Sequence, residues 1–156
     1  MRFATVLAGL AALAAALSPV ALAARGAAAV HTPGQGSAER RAILDALRPR
    51  VVRDLGAPIE FVVNTLRVSG DHAFAGLAPQ RPGGRRIEPR KTRIGREMLR
   101  EFGTLDMFDC CHTEALLKRT RGVWRIEQIG IGATDVWYGE LCRTRPRGLC
   151  PTSHSE

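Results

Sequence analysis

The chain is 156 residues long and carries 23 basic against 15 acidic side chains, a formal net charge of +8. That length allows one domain with a modest core and excludes a multidomain assembly. The charge favours anionic partners in a general way, although arginine, which supplies every cation except Lys91 and Lys118, is also what a GC-rich genome produces.

Met1-Arg2-Phe3 gives a positive start, Ala4 to Leu17 is an uncharged apolar run, and Ala21-Leu22-Ala23 is a small-x-small cleavage site. This layout predicts a secretory signal over residues 1–23, cut before Ala24. The run is shorter than the roughly 20 residues of a spanning helix, so no transmembrane segment is expected after cleavage. The mature chain then has 22 basic and 15 acidic residues, a net of +7. Its predicted location is periplasmic or secreted.

Residues 24–36 are small and polar, with Pro33-Gly34 and Gly36, and read as a flexible leader. Ser37 is a natural N-cap, and Glu39 suits the first turn of a helix. Ile43, Leu44, Leu47, Val51, Val52 and Leu55 recur at three- and four-residue spacing, which predicts an amphipathic helix. Pro49 is expected to kink or split it; Gly56 and Pro58 end it. Next, Ile59, Phe61, Val63 and Thr65 alternate with Glu60, Val62 and Asn64 in a first strand. Ser69-Gly70-Asp71 is a tight turn. His72 to Pro79 then returns as the second strand, with Ala73, Ala75 and Leu77 on one face and Phe74 on the other.

From Arg81 to Arg100 eight basic residues are opposed only by Glu88 and Glu97. Pro82-Gly83-Gly84 and Pro89 argue against regular structure in the first half of this segment. Ile94, Met98, Leu99 and Phe102 predict a short helix in the second half, stopped by Gly103. Asp109 to Leu117 and Val123 to Ile131 read as third and fourth strands around a Thr120-Arg121-Gly122 turn, with Gly130 and Gly132 able to bulge or bend the fourth. Ala133 to Leu141, with Val136, Trp137 and Tyr138, is expected to pack on the sheet edge or extend it. Residues 151–156 are a tail expected to fray. The predicted fold is α+β: one domain over residues 37–150, an N-terminal amphipathic helix packed on a curved antiparallel sheet of about four strands. Cystatin-like and nuclear-transport-factor-2-like folds have this kind of element order.

All four cysteines (Cys110, Cys111, Cys142, Cys150) lie in the mature part, and an even count in an exported chain predicts disulfides. Cys142–Cys150 is the favoured pair, because the short intervening loop contains Pro146 and Gly148 and closes easily. A Cys110–Cys111 bond needs an unusual peptide geometry, and neighbours on a strand point to opposite faces. The main alternative is therefore a longer staple from one of them to the C-terminal segment.

Candidate chemistry is sparse. Asp109-Cys110-Cys111-His112 contains good metal ligands, but Cys142, Cys150 or His72 would have to complete a site, and structural disulfides are the stronger reading. His72 and His112 serve as acid and base only if they meet Asp135 in one pocket. Trp124, Trp137 and Tyr138 read as core or rim rather than a ligand groove. No nucleophile-elbow, zinc-helix, Walker or dinucleotide motif is present, and no cofactor is predicted. Arg85, Arg86, Arg90 and Arg93 can grip anions by bidentate contacts; the plain alternative is a solvated loop. Few aromatics interleave with them, which argues against nucleic acid and leaves an acidic lipid or polymer of the envelope.

The phrases Ala42-Ile43-Leu44-Asp45-Ala46-Leu47-Arg48-Pro49, Phe61-Val62-Val63, Ala73-Phe74, Leu116-Leu117-Lys118, Gly122-Val123-Trp124-Arg125 and Gly132-Ala133-Thr134-Asp135-Val136 together resemble a family of small exported proteobacterial proteins of unassigned function. The resemblance covers most of residues 42–137. It implies architecture and no activity, since these are core and turn residues. The basic segment and Cys110-Cys111 depart from it. The resulting expectation is a non-enzymatic exported binding module for an envelope component. The alternatives are a small-pocket enzyme using His72, His112 and Asp135, and a metal or thiol protein using Cys110, Cys111 and His112.

Overall fold

The computed structural model describes residues 28–151. The signal reading for residues 1–23 and all but the first residue of the tail lie outside them. The elements run α1 (Ala38–Leu55), β1 (Glu60–Ser69), β2 (His72–Gln80), α2 (Arg93–Phe102), β3 (Thr113–Thr120), β4 (Val123–Ile131) and α3 (Gly139–Cys142), with two single 3-10 turns at Pro82–Gly84 and Pro89–Lys91. The strands form one antiparallel sheet in the order β1-β2-β3-β4, so the predicted α+β meander is the observed fold.

α1 starts where Ser37 accepts a hydrogen bond from the Arg40 amide at 3.1 Å, and ends where the Gly56 amide donates to Val52 at 2.8 Å. Pro49 does not split it. Pro49 and Asp45, whose carbonyl loses its helical donor, are both exposed, so water can take that carbonyl. On the opposite face Ile43, Leu47, Val51 and Leu55 are fully buried, each contributing about 1.5–3 kcal/mol. Ile43 and Leu47 pack on Leu66, Val68, Ala73, Ala75, Leu77, Leu117 and Trp124, and Val51 and Leu55 on Ile59, Ile87 and Ile131.

Two bulges keep the sheet's apolar face turned toward α1. Val63 pairs with Leu77 but Thr65 with Gly76, so Asn64 is an extra residue in β1. The series of core positions therefore passes from Phe61 and Val63 to Leu66 and Val68, and Thr65 does not continue it as alternation predicts. In β4, Leu117 pairs with Ile126 but Leu116 with Gln128, so Glu127 is extra, and Trp124 and Ile126 are succeeded by Ile129 and Ile131. The described part of the leader lies along the free edge of β1, where His31 and Val68 exchange both backbone hydrogen bonds at 2.9 and 2.8 Å.

The second sheet face is covered as well. Ala133 to Leu141 neither extends the sheet nor lies at its edge. It folds over the face that carries Phe74 and Leu116, with Tyr138 edge-on to Phe74 at 5.0 Å between ring centres. Trp137 lies against Gly130, where a side chain would collide with its indole. Leu149 is fully buried in the same cluster. The sulfurs of Cys142 and Cys150 are at bonding distance, with Cα atoms 6.1 Å apart, and Arg67 donates to the Gly148 and Cys150 carbonyls at 3.1 Å each. A loop of this length contributes about 2–3 kcal/mol when bridged.

At the C-terminal end of α1, Asp54 is fully buried and accepts from Arg50 at 2.7 Å, from Arg53 at 3.2 Å and from Arg93 of α2. Burial alone would push its carboxyl up, but the bonds from Arg50, Arg93 and Arg53 outweigh it and hold the carboxyl below the ordinary carboxylate range. A depressed carboxyl stabilises the fold above its unfolded value and ceases to do so as pH falls through its folded one. Arg50 and Arg93 are 42% and 40% exposed, so solvent screening reduces the effect. Asp54→Asn should lower the urea-derived stability at pH 7 by about 1–3 kcal/mol. Below about pH 4 the native protein should lose stability faster than the variant, so the two unfolding curves converge.

Candidate functional site

The site forms where the basic loop meets the end of β2. Arg81 fixes the start of the loop: its guanidinium donates to the Leu55 carbonyl at 2.8 Å, to Pro58 at 3.0 Å and to Gly56, closing the unsatisfied end of α1. Its own amide donates to the Arg85 carbonyl at 2.8 Å. Ile87 anchors the middle by inserting between α1 and β4. Thr92 fixes the end: its hydroxyl donates to the Pro89 carbonyl at 2.7 Å and accepts the Gly95 amide at 2.9 Å, capping α2. A loop that composition alone presents as irregular is thus pinned at three points.

Facing it is a turn rather than the start of a strand. β3 begins at Thr113, and residues 109–112 form a turn closed by the His112 amide donating to the Asp109 carbonyl at 3.1 Å. Cys110 and Cys111 occupy its centre, joined by a cis peptide, with their sulfurs at bonding distance. The strand-based expectation that these cysteines diverge, and the longer staple to the C-terminal segment, are therefore incorrect. A turn places neighbouring side chains on one side where a strand would separate them. The turn is clamped to the end of β4 by Asp109 donating to Gly132 at 3.0 Å and Gly132 donating to His112 at 2.6 Å. Gly132 has a φ of 69°, and a side chain there would run into the ring of Phe108.

Loop and turn enclose a cleft of about 560 Å³. Gln80, Arg86, Asp109 and His112 supply its polar groups, and Ile87, Pro89 and the Cys110–Cys111 pair its apolar ones. His112 Nε2 lies 3.3 Å from Glu114, which pushes the imidazole up against the opposing effect of burial.

Of the four proposed anion-binding arginines, only Arg86 lines the cleft. Arg86 and Arg90 are exposed and make no ion pair or side-chain hydrogen bond among the described residues. Arg85 donates to the Pro82 carbonyl at 3.3 Å. Arg93 is not free for a ligand, because Asp54 and Glu97 hold its guanidinium. The other polar candidates do not converge. His72 pairs with Lys118 and Thr113 with Leu77, so His72 and His112 stand at opposite ends of the β2–β3 ladder, about 20 Å apart. Burial and the adjacent Arg145 push His72 down, and its Nδ1 has no hydrogen-bond partner. Asp135 is exposed in the loop after β4, outside the cleft lining. Cys142 and Cys150 lie on the far sheet face, so neither they nor His72 complete a ligand set with Cys110, Cys111 and His112.

The sequence analysis does not single out Asp54, and it gives Arg81 and Gly132 no part in the site. Asp54 carries a readable signal, since it falls three residues after Val51 on the apolar stripe, where a charge implies a buried partner. Gly132 is expected to bend the fourth strand and Arg81 to open the basic segment, but their contacts to the α1 terminus and to the Asp109–His112 turn come from residues far along the chain and have no local signal.

Comparisons with protein families, curated proteins and solved structures return no match to this chain.

Gly132→Ala should displace the Asp109–His112 turn and cost about 2–4 kcal/mol in chemical denaturation. Gly34→Ala, at a site with nothing within 4 Å of the added methyl, should leave the midpoint unchanged.

Proposed function

We propose that this protein is an exported, non-enzymatic binding module, and that its cleft and adjoining basic loop hold an anionic group of an envelope lipid or polymer. The observation that carries this reading is Arg86: an exposed arginine lining the cleft, with no carboxylate partner among the described residues. Nearby Arg90 is likewise unpaired, which extends the positive field beyond the cleft mouth. Gln80 and Asp109 offer acceptors to hydroxyl groups. An acidic sugar therefore suits the lining better than a bare inorganic ion, for which Asp109 is repulsive.

The signal-like leader and the two cysteine pairs at bonding distance support export into an oxidising compartment. No described helix is long and apolar enough to cross a membrane. The acid–base reading of His72, His112 and Asp135 finds no support, since two of the three lie outside the cleft.

The test uses protein secreted from its own leader, whose first residue should be Ala24. Retention at low salt is measured on a polyuronate matrix and on phosphatidylglycerol vesicles, which separates a polymer from a lipid source. Arg86→Ala and Arg90→Ala should each weaken retention about tenfold, as expected for loss of a charge-assisted contact. Arg41→Ala, on the exposed face of α1, should not change it. Absence of retention on both supports, or equal loss with Arg41→Ala, contradicts the proposal.

A further inference from the structure

Cys110 and Cys111 differ from Cys142 and Cys150 in what their bond encloses. Cys142–Cys150 closes a loop around Leu149 and holds the segment that covers the second sheet face. Cys110–Cys111 joins adjacent residues and encloses no chain. A disulfide stabilises chiefly by restricting the unfolded chain, and this restriction shrinks with loop length, so a bond between neighbours adds little. The turn that carries it is already held by the two backbone bonds to Gly132. Opening it therefore leaves the turn in place. The pair is half-buried and lines the cleft, beside His112 and Arg86.

We propose that Cys110–Cys111 is a redox-active site that exchanges with a dithiol entering the cleft, while Cys142–Cys150 is a structural bond. The proposal needs the cleft to be open but does not require it to hold an anion. In the first step a thiolate of the dithiol attacks one cysteine Sγ. The Cys110–Cys111 bond breaks as the mixed disulfide forms, and the other cysteine leaves with the electron pair and takes a proton. In the second step the remaining thiol of the dithiol, deprotonated, attacks the dithiol's first sulfur in the mixed disulfide, closing the S–S bond of the oxidised dithiol as the bond to the cysteine Sγ breaks. The last cysteine is released and protonated. Two electrons and two protons pass to the protein, and the dithiol becomes a disulfide.

The charges around the pair suit this chemistry. Arg86 favours the departing thiolate, and His112, next in the chain, is a proton source at the same place; Asp109 and Glu114 are the opposing negative groups. Among the described residues no group of three or more metal-ligating side chains forms.

The experiment treats the secreted protein with dithiothreitol under native conditions and without any anionic ligand. Samples are quenched with acid over time, alkylated and mapped by mass spectrometry. Cys110 and Cys111 should become alkylated together, at least tenfold sooner than Cys142 and Cys150, with the far-ultraviolet circular dichroism unchanged. His112→Gln should slow this exchange several-fold and shift its pH profile while leaving the unfolding midpoint in place. Cys111→Ser should trap glutathione on Cys110 when exposed to glutathione disulfide. Equal opening of both pairs, earlier opening of Cys142–Cys150, or unfolding on opening of Cys110–Cys111 overturns the proposal. Because no anion is present, failure of the anion-binding reading leaves this result standing, and the converse also holds.

Discussion

Asp54 is buried at the end of α1, and guanidiniums from α1 and from α2 converge on it. An ionised carboxylate in that position is tolerable only while those partners stay in place. It therefore fixes where α2 begins, and with it the far end of the basic loop. Arg81 does the same for the near end by closing the C-terminus of α1. The arginine-rich segment thereby divides into two functions. Arg81 and Arg93 hold the loop against the fold, and Arg86 and Arg90 are left without protein partners among the described residues. A charge count treats all eight cations of the segment alike; the buried carboxylate distinguishes them.

The rest of the architecture follows from a sheet with two apolar faces. α1 covers one, and the segment from Ala133 to Cys150 covers the other, secured by Arg67, Leu149 and the Cys142–Cys150 pair. Both outer strands carry a bulge, which keeps their large side chains on the α1 side beyond the point where simple alternation would turn them away. The cleft lies at the end of the sheet where the loop after β2 and the turn before β3 come together. Its walls are therefore set by the same contacts that terminate the helix and two strands.

Local signals made much of this legible. The apolar stripe of α1, the Ser37 cap, the Gly70-Asp71 turn and the apolar spacing of α2 each depend on residues within a few positions of one another, and each is found where the sequence places it. Three features were not legible, for physical reasons. The turn at Asp109–His112 looks like a strand because β-branched and apolar residues follow it, and only its clamp to Gly132 ends the strand at Thr113. The two bulges change the parity of β1 and β4 through pairing with distant partners. The covering of the second sheet face by Trp137 and Tyr138 depends on Gly130 leaving room for the indole. At the site, Arg86 and His112 were both nominated by their chemistry, but nothing local placed them around the same cleft, or sent His72 to the opposite end of the ladder.

Arg86, which no side chain of the fold holds among the described residues, places anion binding in the cleft between the loop at Gly84–Pro89 and the turn at Asp109–His112. Amide hydrogen exchange of the protein, measured with and without a soluble polyuronate at low salt, tests it most directly. The account predicts added protection confined to these two segments, with α1, the Cys142–Cys150 loop and the His72 end of the sheet unchanged. Protection at the His72 end or across the Trp137 face, with none around Arg86, would contradict it.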